Sequence, residues 1–450
     1  MNNNPHLTED RVGKRARIER GEKAILVGLD FGKRYEENGR WDLNETMEEL
    51  ASLSTTAGLK VIDVITQFKN KPDPAYFIGE GKTKSIKESA HEQGAEVIVF
   101  NDELRPAQSR NLEEAIGRKI VDRAQLIMDI FAQRASTKEA KLQVELAQLE
   151  YLLPRLRGWG EALERLGGGI GTRGPGETRL ENERQKIQRR IESIRGDLEK
   201  ASQEWETRRK RRKKNSIPEI ALVGYTNTGK TTLLNALTGA GGFTENKLFA
   251  TLDPLTRSLG LPDKREVLLI DTVGLIRKLP HQLIPAFRST LQSARAADLL
   301  INVMDITKEK LHARLETVNR ILNEDVFGDG KKRPPIINVF NKTDLVEDRG
   351  KISTLKREID NSITVSARGK ENLDQLKEMI AFQLGDEMRT VSLSLPYAQA
   401  DLLDWFHEHG TVSREDYKSE YIILEGEIER HLLNQLKRKL NSEGKLTVQK

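Results

Sequence analysis

The sequence predicts a multidomain α/β protein: an N-terminal parallel-sheet α/β domain with a long antiparallel helical hairpin, a central α/β domain, and a small C-terminal α/β domain. Three observations predict it. At 450 residues and roughly 150 residues per domain, the chain is long enough for about three domains. Apolar strand-like runs alternate with amphipathic stretches, the pattern of a parallel sheet covered by helices. Two apolar seams with heptad spacing flank a glycine-rich gap, as two helices of a hairpin would.

Composition narrows the class. Lys and Arg number 74 against 69 Asp and Glu, a net +5, with 37% hydrophobic and 32% charged residues, which suits a globular protein. No apolar run approaches the ~20 residues that cross a bilayer, and Met1-Asn2-Asn3-Asn4-Pro5 lacks the apolar core of a secretory signal. A cytoplasmic protein without stable membrane insertion is expected. The absence of cysteine excludes disulfides, zinc ribbons, iron–sulfur clusters and thiol catalysis.

After a flexible stretch over 1–20, the N-terminal domain is expected over 21–134. Strand-like runs at 24–30, 60–68 and 96–101 alternate with amphipathic ones at 46–57, 81–93 and 107–116. Gly79-Glu80-Gly81-Lys82-Thr83 lacks the spacer and preceding apolar strand of a phosphate loop and reads as an ordinary helix start. The hairpin is expected over 135–207. Leu142, Leu146, Leu149, Leu153 and Leu156 form one seam, and Ile187, Ile191, Ile194, Leu198, Ala201 and Trp205 the other.

The hairpin tip, 154–180, is unlike either seam. Residues 158–176 hold eight glycines, and Arg155, Arg157, Arg165, Arg173 and Arg179 surround Trp159. Arginine forks bind phosphates and an indole stacks on bases, so the tip reads either as an RNA probe or as a floppy connector. Next, Arg208-Arg209-Lys210-Arg211-Arg212-Lys213-Lys214 forms a basic linker at 208–215. Residues 154–215 carry 18 basic and 10 acidic side chains, a local +8, leaving the rest of the chain at −3. Such a run attracts polyanions, nucleic acid first, through counterion release; the alternative is a solvated, extended linker.

The central domain, 216–388, carries the legible chemistry. A buried strand at 217–223 runs into Gly224-Tyr225-Thr226-Asn227-Thr228-Gly229-Lys230-Thr231, with a helix from Thr232 to 237. Strand, P-loop and helix in that order cradle phosphates with backbone N–H groups and a helix dipole. Lys230 is expected on the β- and γ-phosphates and Thr231 on Mg²⁺. A strand over 267–270 ends in Asp271-Thr272-Val273-Gly274; the carboxylate suits water-mediated Mg²⁺ binding and the glycine amide suits the γ-phosphate. A strand over 336–340 ends in Asn341-Lys342-Thr343-Asp344, where Asp344 can accept both guanine N1–H and N2–H. Adenine offers no such donor pair, and the unpaired buried groups it would leave favour GTP and GDP over ATP. A strand over 363–365 ends in Ser366-Ala367-Arg368, placed to meet guanine O6. Four motifs at strand ends put the ligand where open α/β sheets bind ligands. Phe249-Ala250-Thr251-Leu252-Asp253-Pro254 reads as a switch segment, with Thr251 completing Mg²⁺ coordination.

With these motifs in place, the sequence resembles the HflX family, of the Obg–HflX group of translation-factor-related P-loop GTPases, along nearly its whole length. The most specific stretch is Gly167-Gly168-Gly169-Ile170-Gly171-Thr172-Arg173-Gly174-Pro175-Gly176-Glu177-Thr178, together with Gly224 to Asn227 and Phe249 to Pro254. The resemblance implies binding to the large (50S) ribosomal subunit and its rRNA and dissociation of stalled or idle ribosomes, with the N-terminal domain and hairpin reaching into the subunit. The phosphate loop ends in Thr231 where many relatives carry Ser. The ATP-linked activity that the family assigns to the N-terminal domain finds only the 79–83 segment.

Leu275 follows Gly274 where many GTPases place a water-orienting glutamine, so hydrolysis is expected to be slow alone and faster with a partner. Asn227 either coordinates K⁺ in place of an arginine finger or braces the loop. The C-terminal domain, 389–450, is expected from strands at 391–395 and 420–429 and helices at 398–409 and 431–440; His407 and His409 point to different helix faces and make no metal site. The reading is a monomeric, ribosome-associated GTPase, with a peripheral position at the membrane left open. Two rivals stay open: a GTPase switch on a protein partner such as a membrane protease regulator, and an RNA-binding or remodelling module.

Overall fold

The computed structural model describes residues 18–32, 43–164, 175–214, 217–239, 249, 255–276, 293–308, 310–328, 333–346, 350, 355, 357–385, 388–429, 432–440 and 444–448. Three sheets organise them. The first holds β1 (Lys23–Asp30), β2 (Lys60–Phe68), β3 (Val97–Phe100) and β4 (Lys119–Asp122) in the order β2-β1-β3-β4, all parallel. Its inner strands are apolar from Ala24 to Leu29 and from Val97 to Phe100 because both faces are covered. Helices α1 (Leu43–Ala57), α2 (Glu80–Gln93), α3 (Pro106–Ile116) and α4 (Arg123–Arg134) supply the cover. The short strand β4 and helix α4 were not read from the sequence: four residues of strand give no periodicity to detect. Gly79 is the N-cap of α2, with no side-chain cap bond.

The hairpin pairs α5 (Lys138–Glu164) with α6 (Pro175–Lys214). Leu142, Leu146, Leu149 and Leu153 meet Ile187, Ile191, Ile194 and Leu198 in one apolar cluster, so both heptad seams do face each other. Two ion pairs run alongside. Arg190 clasps Glu145 through two hydrogen bonds, and Arg195 reaches Glu150 at 2.7 Å. Helix α6 continues through Lys214, so the run from Arg208 to Lys214 is the end of a helix and not an extended linker.

The second sheet has the order β10-β9-β8-β5-β7-β6, from β5 (Glu219–Val223), β6 (Leu255–Gly260), β7 (Glu266–Asp271), β8 (Leu299–Asp305), β9 (Ile336–Asn341) and β10 (Ser362–Thr364). Only β6 is antiparallel, lying outside β7. Helices α7 (Lys230–Thr238), α8 (Leu311–Ile321) and α9 (Leu373–Gln383) accompany it. The third sheet is antiparallel, ordered β12-β13-β11-β14, from β11 (Met388–Pro396), β12 (Gly410–Tyr417), β13 (Tyr421–Glu429) and β14 (Lys445–Val448), with α10 (Asp401–His409) and α11 (Leu433–Lys439). The sequence showed β11 and β13 but not β12, whose polar residues carry no apolar alternation. His407 pairs with Glu415, and the His409 ring stacks on Trp405 at 4.6 Å.

One apolar cluster crosses from the first sheet to the second. It joins Leu126, Ile127, Ile130 and Phe131 of α4 to Tyr225, Phe249, Val273 and Leu275. The N-terminal domain is therefore packed against the loops at the carboxyl ends of β5 and β7.

Candidate nucleotide site

Strand β5 is buried from end to end and delivers the chain into the loop from Gly224 to Gly229. Gly224 and Gly229 hold φ of +139° and +92°, and a Cβ there would strike the Val303 carbonyl and the Asn341 amide; only glycine fits. Lys230 opens α7 and turns back under the loop, its ammonium donating to the carbonyls of Gly224 at 3.0 Å and Tyr225 at 2.7 Å. Burial lowers its pKa to about 8, against the opposing charge of Asp271. The Thr228 hydroxyl donates to the Tyr225 carbonyl and closes the turn.

Strand β7 brings the second motif alongside. Asp271 is fully buried, and the Thr231 hydroxyl donates to its Oδ2 at 2.6 Å. A hydroxyl and a carboxylate side by side form an all-oxygen donor pair, which fits a hard divalent cation such as Mg²⁺. Thr272 ties the strand end to β5 by donating to the Leu222 carbonyl. Beyond it, Leu275 N–H donates to the Gly224 carbonyl and Thr226 N–H to the Leu275 carbonyl, both at 2.9 Å. This pairing holds Gly274 against the phosphate loop and buries the Leu275 side chain at 3% exposure.

The third and fourth motifs converge from β9 and β10. Asn341 donates to the Thr228 carbonyl at 2.9 Å and accepts from Ala367 N–H at 3.0 Å, clamping loop and strand end together. The Ser366 hydroxyl donates to Asp344 Oδ1 at 2.6 Å and orients an otherwise exposed carboxylate. Arg368 is exposed. Lys342, at φ +68°, sends its ammonium to the Asn227 carbonyl at 2.8 Å and to Asp305 Oδ2 at 2.7 Å. Asp305 was missed in the sequence; its signal is a carboxylate ending the buried strand β8, whose one other polar residue is Asn302. The four motifs thus meet at one edge of one sheet.

Of the switch segment, Phe249 is described. It is 2% exposed and meets Phe131 of α4 edge-on, centroids 4.7 Å apart. Ala250, Thr251, Leu252 and Asp253 lie outside the described residues. On the same side Arg314 of α8 sits 5.7 Å from the Tyr225 ring and 3.6 Å from Glu45 of α1.

One nucleic-acid candidate is corrected. The Arg155 guanidinium, 13% exposed, pairs with Asp122 at 3.3 Å, donates to the carbonyls of Tyr151 and Leu104, and lies over the Tyr151 ring. Its position beside β4, unread in the sequence, commits it to anchoring the hairpin on the first sheet. Arg165 and Arg173 lie outside the described residues, as do the side chains of Arg157, Trp159, Arg179 and Arg208 to Lys214.

Comparison with known proteins divides the chain into four matched segments, the last of which begins within the second sheet's share of the chain. Family profiles described as "GTP-binding GTPase N-terminal" and "GTP-binding GTPase Middle Region" match residues 44–132 and 134–212. Those described as "50S ribosome-binding GTPase" and "HflX C-terminal domain" match 219–342 and 352–449. The chain is 47% identical over 407 residues to GTPase HflX of Caldanaerobacter subterraneus subsp. tengcongensis, covering 90% of this chain and 91% of that one. It is 41% identical to GTPase HflX of Escherichia coli K12, covering 89% and 91%. A GDP-bound GTP-binding protein from Sulfolobus solfataricus aligns with 80% of this chain and 98% of its own, at 26% identity and a TM-score of 0.44.

Proposed function

This chain belongs to the HflX family of GTPases, enzymes that hydrolyse GTP, and on that premise we propose that it binds the large ribosomal subunit in its GTP state, dissociates stalled or idle ribosomes, and leaves after hydrolysis. One observation carries the coupling: the domain that bears the hairpin shares an apolar core with the phosphate loop and the residues after Asp271. A nucleotide-dependent shift at Phe249 or Leu275 therefore bears directly on α4, and through Arg155 on the hairpin. The profile match over 219–342 supports the partner, and the +8 of residues 154–215 supports rRNA as what the hairpin meets.

In this reading Lys230 neutralises charge on the β- and γ-phosphates, Gly274 N–H meets the γ-phosphate, and Asp344 with a backbone amide of the Ser366-Ala367-Arg368 turn selects guanine. Thr231, Thr251 and, through water, Asp271 would hold Mg²⁺, which would supply charge neutralisation for the leaving group. A buried leucine cannot orient water, so Leu275 makes intrinsic turnover slow; a partner that completes the site gains up to roughly 10³–10⁵ in rate. Asn227, at φ +60°, would hold K⁺ within the same proposal.

The test is GTP hydrolysis, with ATP as control, with and without isolated large subunits at moderate salt. Strong stimulation of GTP turnover that disappears in Lys230→Ala is expected. Unchanged turnover on adding subunits would refute the ribosome as activator and turn attention to a protein partner.

A further inference from the structure

We propose that Asp305 is a positioning residue for guanine-nucleotide binding, acting through Lys342; the proposal rests on reading the site as a guanine site. Asp305 ends β8, which lies between β5, the strand entering the phosphate loop, and β9, the strand ending in Asn341-Lys342-Thr343-Asp344. Both of its oxygens are committed. Oδ2 accepts the Lys342 ammonium at 2.7 Å, while Oδ1 accepts Thr307 N–H at 3.0 Å and the Thr307 hydroxyl at 2.6 Å. The carboxylate therefore cannot swing away from Lys342. Burial opposes its charge, but the hydrogen bond from Lys342, those from Thr307 and the neighbouring ammonium outweigh burial and hold its pKa below the usual carboxylate range.

The second acceptor of Lys342 is what gives this arrangement a function. The same ammonium donates to the carbonyl of Asn227 in the middle of the phosphate loop. Lys342 and Asn227 both adopt left-handed backbone conformations, φ +68° and +60°, which cost energy for side-chain-bearing residues and need tertiary contacts to persist. Asp305, Lys342 and Asn227 thus link three strand ends through one ammonium. A lysine stem fixed at its tip presents a methylene face two residues from Asp344, an apolar surface for a purine ring whose edge Asp344 reads. Without Asp305, the ammonium keeps one neutral carbonyl, the stem regains rotamers, and both the base platform and the loop loosen.

The experiment is a double-mutant cycle on dissociation constants for GDP and GTP, with ADP as control. It uses the full chain, Asp305→Asn, Lys342→Met and the double variant, with unfolding temperatures of the nucleotide-free proteins recorded in parallel. Losing one charge-assisted hydrogen bond should raise both dissociation constants about tenfold in Asp305→Asn. The loss should fall more on KM than on kcat. In the Lys342→Met background, the same substitution should change the constants by less than about twofold, because the partner it acts through is gone. Additive effects, or unchanged constants in Asp305→Asn, would overturn the proposal. If Asp305→Asn does not fold, Thr307→Val removes the hydroxyl bond to the other oxygen and leaves only the Thr307 N–H there; it should raise the constants in the same direction, again only when Lys342 is present, and unchanged constants there would overturn it equally. A parent protein that fails to prefer GDP over ADP would sink the guanine reading itself, a separate outcome.

Discussion

Replacing Arg155 by methionine should loosen the hairpin from the first sheet by an amount that depends on pH. The side chain occupies a buried position opposite Asp122, which is 2% exposed. Breaking a buried ion pair from one side commonly costs about 3–5 kcal/mol. The lower end applies here, about 3 kcal/mol, because Asp122 keeps the Leu104 N–H at 3.0 Å, the Gln125 N–H at 2.9 Å and a hydrogen bond with the Tyr151 hydroxyl. Burial already raises the Asp122 pKa above its usual 3.8, and the charge of Arg155 is the largest influence opposing it. Without Arg155 the pKa rises further. A carboxyl with a raised folded-state pKa binds more protons folded than unfolded, so its contribution to stability is lost as pH rises through that pKa and regained as pH falls. The deficit of Arg155→Met relative to the parent should therefore be largest at neutral pH and shrink toward pH 3.8. Because a chain of several domains need not unfold in two states, the assay is hydrogen exchange of the amides of residues 138–156 across pH, beside urea unfolding. A deficit that stays constant with pH would refute the reasoning. So would weaker large-subunit binding at unchanged stability, which would return Arg155 to RNA contact.

Other substitutions test other joints. Phe131→Ala removes a fully buried ring that meets Phe249 edge-on; a loss of about 3–5 kcal/mol and faster proteolysis between the first two sheets are expected, and unchanged protease resistance would contradict the shared core. At Gly274, a Cβ would lie 2.7 Å from the Thr226 Cα, so Gly274→Ala should slow GTP hydrolysis by about tenfold or more while GDP still binds; equal rates would show that the amide does not approach the γ-phosphate. Asp344→Asn replaces an acceptor of two N–H groups by an amide and should shift preference from guanine toward xanthine nucleotides, read in competition binding. Hydrolysis in KCl should exceed that in NaCl if Asn227 holds K⁺, and equal rates would leave it as a loop brace.

Much of the nucleotide site was legible because phosphate cradling and base selection are local demands. They require glycines, a lysine and a hydroxyl at fixed spacing after a strand, and those residues sit consecutively from Gly224 to Thr231. Both hairpin helices were legible for a similar reason, since one-face burial leaves a periodic trace at Leu142 to Leu153 and Ile187 to Leu198. Strands β4 and β12 left none: the first is four residues long, and the second pairs through its backbone while its side chains stay mostly in water. The run from Arg208 to Lys214 is helical where an extended chain was one of the readings, because charge does not distinguish a solvated helix from an extended chain.

The sequence by itself determined the order of the motifs this protein carries: a phosphate loop, a carboxylate at the end of β7, an acidic residue after β9, and a strongly cationic segment before the central domain. Tertiary structure decided how these parts are held and joined. Asn341 meets Thr228 across 113 residues, Lys342 meets Asp305 across 37, and Arg155 meets Asp122 across 33. Which strand lies beside which sets those meetings, through the burial of apolar faces and the need to pair each buried charge. No spacing along the chain encodes them, and so Arg155, which reads as an RNA contact, is an anchor, and Asp305, which carries no motif, holds Lys342.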